Sequence, residues 1–393
     1  MSVPAASLCA VTSGVLEELS GPDVARDSVV MAACIAASSV ADPAVPDRDK
    51  AARLMECLAV VSAAFPVGAA PSLGRFRGLL HEPLKHLIPA GLDPGSVGDV
   101  TLLDAAGRLC DEAEDICREH FVPVAALGER WSLPRLRAEQ EERRLFSELR
   151  GLGPAGYARA RELLVDSPAG ELRVLRRAWD DLWPRFGDYG PVAGLGGTQL
   201  EGWWFPCPAC RWPMRAEAAT GGVWRVRCEA HAARGIGYTA KPADWRGHPV
   251  LTAAGKNAGE VEGQPATAEH LAVSRSVWRY VTLPGVVETD LRDHARRLGA
   301  EVTMWPDLDE FDLLIRLGGK SWRVDAKAWA SPLALAQALL DSEPPRQQLE
   351  IVIPDHQRTA CAAVNDMLAG RRMKVRTVSN MKQLLDRAAR EAR

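Results

Sequence analysis

The chain has 393 residues, is 47% hydrophobic and 25% charged, and carries a formal net charge of −3. This is the make-up of a globular protein of two or three domains with a real core. No apolar run reaches the ~18 residues of a membrane span, and residues 29–41, the longest, suit a buried helix. The N-terminus MSVPAASLCAVTSG has no basic region ahead of an apolar stretch, so a cytoplasmic protein is expected. Membrane, secreted, collagen-like and largely disordered classes are excluded as expectations. The charge is uneven: residues 1–200 balance to −7 and residues 201–393 to +4. That is a slight leaning of the second half toward a polyanion.

Residues 1–190 read as helices. Apolar residues recur at three- and four-residue spacing over 23–39, 47–64, 100–120, 136–150, 154–165 and 169–183. Breaks fall at Pro43 and Pro46, Pro66 and Pro71, Pro89 and Pro94, Pro154 and Pro168. Strand-like alternation is nearly absent, which predicts an all-α N-terminal domain over 1–190. His81, His86 and His120 have no partner at ligand spacing, so they are expected as ordinary hydrogen-bonded histidines. Cys9, Cys34, Cys57, Cys110, Cys117 and Cys361 are scattered, the usage of reduced, buried thiols.

The composition shifts near Asp188. Gly190, Gly194, Gly196 and Gly197 mark a connector, and nine of the twelve tryptophans fall between Trp203 and Trp329. Here Cys207-x2-Cys210 and Cys228-x2-His231 stand 17 residues apart, the spacing of a zinc ribbon. Each pair on a tight turn points two donors at one tetrahedral centre. Three thiolates and an imidazole, soft and with no spare position, predict structural Zn²⁺ over residues 198–250. His248 is the alternative fourth ligand. The basic side chains and Trp212, Trp224 and Trp245 of this segment fit a nucleic-acid contact or packing against a neighbour equally well. Residues 252–267, TAAGKNAGEVEGQPAT, read as a flexible linker.

Residues 268–393 read as a mixed α/β domain. Residues 287–298 predict a helix with Glu288 near its start. Residues 301–305, 311–317 and 322–329 predict strands, and Gly318-Gly319 a hairpin turn. With that turn, Leu317 faces Lys320 and Asp312 stands across from Asp325. With the turn one residue later, Asp312 faces Lys327. In both registers Asp312, Asp325 and Lys327 share one face, because side chains alternate with period two. The other face carries Phe311, Leu313, Ile315, Trp322, Val324 and Ala326. Two carboxylates are hard ligands for Mg²⁺ or Mn²⁺. Such a metal polarises a phosphate and activates water, and an ammonium beside it stabilises growing charge. Strands at 348–353 and 374–378, with helices at 356–369 and 380–389, complete the layer order.

The order Asp, then Asp/Glu-x-Lys, is that of the restriction-endonuclease fold, and Asp325-Ala326-Lys327 is its only occurrence here. LPGVVETDL, WPDLDEFDLLIRL and WRVDAKAWASPLALA, with WWFPCPACRWPM upstream, resemble the restriction-endonuclease-type component encoded beside prokaryotic PIWI-RE proteins. The resemblance spans residues 200–393. It implies that Asp312, Asp325 and Lys327, with Glu288, form the active site. It also implies a PIWI-RE protein and a helicase as partners, DNA as substrate, and a role in defence against invading DNA. An acidic residue often follows the motif lysine in that family, and here Ala328 stands there. The fold expected is therefore multidomain: an all-α N-terminal domain, a small zinc ribbon and a C-terminal α/β restriction-endonuclease-like domain. The alternative is a catalytically inactive nuclease-fold subunit that binds nucleic acid or scaffolds a complex. A zinc-ribbon transcription factor is a weaker rival, since the chain shows no helix-turn-helix.

Overall fold

The computed structural model describes residues 22–43, 45–104, 106–110, 113, 116, 144–185, 189–232, 235–253, 259–327 and 332–392. Cys9, Cys117, His120, Ala328 and the first half of the helix expected at 136–150 lie outside them. The chain packs as two units. One groups described residues from Met1–Arg135, Trp329–Pro344 and Thr359–Leu368, and the other those from Leu136–Ala328, Pro345–Arg358 and Ala369–Arg393.

The first unit is helical. α1 (Pro22–Ala41) and α2 (Asp47–Ala63) bury Val29, Val30, Ala33, Cys34 and Ala37 with Leu54, Cys57 and Val61. Asp47 and Asp49 in the first turn of α2 favour its N-terminal dipole end. Ser72 caps α3 (Leu73–Leu79) by accepting the Arg75 amide at 3.3 Å. Helices Pro332–Asp341 and Cys361–Met367 also belong to this unit. The helix expected from residue 100 is absent over 100–104 and 106–110, where bridges join Pro83 to Thr101 and Leu103 to Leu109. Asp104 explains this. Its Oδ1 accepts the amides of Ala106 and Arg108 at 2.8 and 2.9 Å, and Gly107 turns the chain at φ +74°. A side chain that binds its own backbone this way competes with the helix. His81 and His86 are hydrogen-bonded, to Asp104 O at 2.9 Å and to Glu82 at 3.0 Å.

In the second unit, helical residues 144–150 precede α4 (Gly153–Asp166), β1 (Ala169–Glu171), α5 (Leu172–Trp179) and β2 (Tyr189–Pro191). A three-stranded antiparallel sheet follows: β3 (Arg215–Ala218), β4 (Trp224–Arg227) and β5 (Gly237–Ala240). β6 (His270–Val273) lies between β1 and β2 and pairs with both. The strands at 169–171 and 189–191 correct the all-α expectation for residues 1–190. Three-residue strands carry no periodicity, and these two exist because β6 offers two edges to pair with. Part of the expected linker is also ordered. Val261–Glu262 pairs with Val250–Leu251, and Gln264–Pro265 with Trp203–Trp204.

A helix begins at Arg275, widens through one π turn at Trp278–Thr282 and continues as α6 (Leu283–Arg297). Five strands then form one sheet: β7 (Glu301–Met304), β8 (Leu313–Leu317), β9 (Lys320–Ala326), β10 (Leu349–Ile353) and β11 (Met373–Thr377), in that order. The first three pair antiparallel and the last three parallel. α7 (Val378–Glu391) closes the chain, its N-terminus capped by Thr377. The turn between β8 and β9 is Gly318-Gly319, both at positive φ (58° and 76°), as a two-residue hairpin requires.

α6 and α7 supply the apolar stripe that covers this sheet. Leu291 and Ala295 from α6, and Met381 and Leu385 from α7, close over Leu313, Ile315, Val324 and Val352. Lys382 pairs with Asp290 at 2.7 Å and His294 with Asp386 at 3.0 Å along the seam between the helices. α4 packs against the start of α6. Gly285 permits the close approach, because a Cβ there would stand 2.1 Å from Val165 Cγ2. The Thr282 hydroxyl donates to Leu164 O at 2.9 Å, and Arg292 pairs with Glu162 at 2.6 Å.

Candidate active site and metal centre

The hairpin sets the positions of the carboxylates. Leu317 pairs with Lys320 and Leu313 with Val324, the register that carries Asp312 to the level of Asp325. Asp312 leads into β8, Asp325 is the penultimate residue of β9, and Lys327 follows β9. The Lys327 ammonium lies 2.9 Å from Asp325 Oδ1. Its amide donates to Val352 O at 2.8 Å, which fixes the end of β9 against β10. Both side chains keep some solvent exposure.

Asp312 is different: it is buried, with 6% of its surface accessible. Its Oδ2 accepts the Ala326 amide at 2.5 Å, and its own amide donates to Val324 O at 3.0 Å. The carboxylate thus takes the place of a strand carbonyl where the ladder ends. Its proton affinity is raised well above the ordinary carboxylate range, first by burial, then by the charges of Glu288 and Asp325; Lys327 and Arg161 pull the other way. Those four groups therefore sit within electrostatic reach of Asp312. The three carboxylates are still not gathered as tightly as a metal cage. Among the described residues, only the Cys207 cluster brings three or more donor groups within 4.8 Å of one another. Two carboxylates remain the donor set by which Mg²⁺ is usually held, with substrate phosphate and water completing its shell.

Glu288 lies one and a half turns into α6 and is fully buried. It accepts from Arg161 Nη2 at 3.1 and 3.2 Å and from the Trp305 indole at 2.5 Å. Trp305 reaches it from a turn with left-handed backbone at Trp305, Asp307 and Leu308 (φ 47°, 53° and 59°). Such conformations are costly for residues with a side chain and cluster at functional sites. The Trp305 amide donates to Asp312 O at 2.7 Å, so one turn positions both residues. Arg161 and Trp305 were not singled out by the sequence. Arg161 is 127 residues from its partner, and nothing in α4 distinguishes it from the other arginines.

The sulfur centre is compact. Arg211, at φ +61°, closes the first turn: its amide donates to Cys207 O at 2.7 Å, and the Cys207 amide donates to Trp212 O at 2.9 Å. Cys207, Cys210, Cys228 and His231 are all buried. Cys207 Sγ and Cys228 Sγ stand 3.6 and 3.3 Å from His231 Nδ1, and Cys210 Sγ is 3.7 Å from Cys228 Sγ. Ligands about 2.0–2.3 Å from a tetrahedral zinc stand ~3.5–3.8 Å apart, so these residues can hold a metal such as zinc. Burial pushes the Cys210 thiol up to about 12 and also raises the Cys228 thiol well above its ordinary range. A bound cation would favour both as thiolates. Hydrogen bonds from Cys210 and Cys228 push Cys207 down. The Trp278 indole donates to Cys210 Sγ at 3.4 Å and stacks on Trp212 at 4.4 Å. His248, the alternative ligand, lies outside the cluster with its ring 5.0 Å from Trp203. Trp212 packs inward, and Arg215 and Arg227 pair with Glu229 and Glu217. Much of the basic and aromatic character of the ribbon segment thus goes into packing.

Residues 285–393 match the family model described as REase associating with pPIWI_RE. This segment, just over a quarter of the chain, is similar to restriction-endonuclease-like proteins linked to PIWI-RE. It contains Glu288, Trp305, Asp312, Asp325 and Lys327, while Arg161 and the sulfur centre lie outside it. No curated protein and no solved structure shows a significant match to the chain.

Two outcomes follow from these sites. Cys228→Ser should lower zinc from about one per chain toward zero by elemental analysis and leave Trp278 without its organised sulfur partner. Asp312 has a raised proton affinity when folded, so its contribution to stability is complete at low pH and lost as pH rises. Ionised Asp312 therefore costs stability at neutral pH. Asp312→Asn, which can still accept the Ala326 amide, should raise Tm at neutral pH in metal-free buffer. The difference from wild type should close as pH falls toward about 4, where an ordinary carboxylate is half protonated.

Proposed function

We propose that the chain is a metal-dependent DNA endonuclease of restriction-endonuclease fold, with a helical N-terminal part, a zinc ribbon (198–250) and a nuclease domain (268–393). The observation that carries this reading is the convergence of Asp312, Asp325 and Lys327 at one end of the β8–β9 hairpin, inside the segment similar to the PIWI-RE-associated nucleases. Asp312 and Asp325 would hold Mg²⁺ or Mn²⁺. When bound, such a metal polarises the scissile phosphate and makes a coordinated water more acidic.

The other steps belong to the chain. Lys327, partly exposed and tethered to Asp325, would supply a cation to stabilise developing phosphoryl charge. The Ala326 amide orients the Asp312 carboxylate. Glu288, fixed by Arg161 and Trp305, adds negative field behind Asp312. Zinc at Cys207, Cys210, Cys228 and His231 would hold the ribbon together, with no position open for chemistry. The matched segment supports a PIWI-RE protein as partner; a helicase partner and a part in cytoplasmic defence against invading DNA belong to the same proposal. Among the described residues, no helix is long and apolar enough to cross a membrane.

A second reading, a nuclease-fold subunit that binds nucleic acid without cutting it, draws on the looseness of the carboxylate group compared with the sulfur centre. Cleavage separates the two. The zinc-loaded chain, incubated with duplex DNA, should cut only when Mg²⁺ or Mn²⁺ is supplied. Lys327→Met should cut on the order of 10²–10³-fold more slowly while still binding the metal. Cleavage that persists without a divalent cation, or at the wild-type rate in Lys327→Met, would overturn the reading.

A further inference from the structure

The matched nuclease segment starts at residue 285, yet one of the charges around Asp312 comes from well before it. Arg161 lies on α4 with 2% of its surface accessible. Its guanidinium lies over the Trp305 and Phe146 rings, 5.2 and 5.6 Å from their centroids. At those distances an aromatic face attracts a cation, more strongly when water is excluded. One of its terminal nitrogens lies against both oxygens of Glu288. Trp305 thus touches both partners: its ring faces the guanidinium and its N–H donates to the carboxylate. Through its amide it also holds the backbone of Asp312.

α4 is held in place to do this. The Val165–Gly285 approach, the bond from Thr282 to Leu164 O and the Glu162–Arg292 pair all lock it onto α6 around the level of Glu288. A buried carboxylate with two oriented donors has a fixed direction, and removing its cation leaves a charge without its counterion.

We propose that Arg161 is a positioning residue of the nuclease centre: it holds the Glu288 carboxylate and, through Trp305, the turn that carries Asp312. On this account α4 is a wall of the active site, and residues 268–393 alone lack one of its cations. The inference rests on the nuclease reading above, because it assigns Arg161 a part in that site.

The test uses the full-length, zinc-loaded chain. Mn²⁺ affinity is measured by electron paramagnetic resonance for wild type, Arg161→Lys, Arg161→Met, Glu288→Gln and the double variant Arg161→Met/Glu288→Gln. The Trp305 indole N–H resonance, assigned with Trp305→Phe, reports the Glu288 contact independently of metal. Arg161→Met should weaken Mn²⁺ binding about 10-fold or more, the scale of lost outer-shell support, and shift the Trp305 resonance. Arg161→Lys should recover part of both. In the Glu288→Gln background, Arg161→Met should add less than a twofold further loss, because the residue acts through that carboxylate.

Wild-type affinity and an unmoved Trp305 resonance in folded Arg161→Met would overturn the proposal, as would losses in Arg161→Met and Glu288→Gln that simply multiply. If Arg161→Met does not fold, Arg161→Lys decides: wild-type affinity and resonance there overturn the proposal. Wild type that binds no Mn²⁺, with or without duplex DNA, overturns the nuclease reading itself, and the proposal falls with it.

Discussion

An enclosed carboxylate beside two other carboxylates is expensive, and the second unit is organised around that cost at Asp312. Burial and like charge both favour its proton. The fold answers with the Ala326 amide on Oδ2, the Lys327 ammonium beside Asp325 and the Arg161 guanidinium beside Glu288. A single apolar replacement would be cheaper for stability. The arrangement makes sense where negative charge must be held in readiness for a cation, which is the chemistry proposed here.

The sulfur centre and the carboxylates are connected by one helix. Arg275 pairs with Glu229, between Cys228 and His231, and Trp278 donates to Cys210. After the π turn the same helix presents Gly285 to α4 and Glu288 to Arg161. π turns inside helices recur at functional sites. Here the turn lies between the residue that touches a sulfur ligand and the residue that touches the charge cluster, so the two sites share a common support.

The readable parts of the fold were those whose signal is local. Gly318-Gly319 fixes a two-residue turn, and that turn sets the register that brings Asp312 to the level of Asp325. The spacing of Cys207, Cys210, Cys228 and His231 likewise located a cluster whose donors lie close in space. Packing between distant segments was not readable. Arg161 meets Glu288 because Gly285 leaves room for Val165, and a glycine inside a helical pattern does not name its neighbour. The strands at 169–171 and 189–191 depend on the edges of β6, and residues 100–104 and 106–110 follow Asp104 rather than their apolar spacing. In each case a tertiary or side-chain–backbone contact outweighed the local pattern.

As proposed, Asp312 and Asp325 hold a divalent cation. The most direct measurement is Mn²⁺ titration calorimetry on the zinc-loaded chain with a non-cleavable duplex present, comparing wild type with Asp325→Ala. Saturable binding is expected in wild type and its loss in the variant, with the zinc content of both unchanged. Equal binding in the two proteins, or no saturable binding in folded wild type, would contradict it.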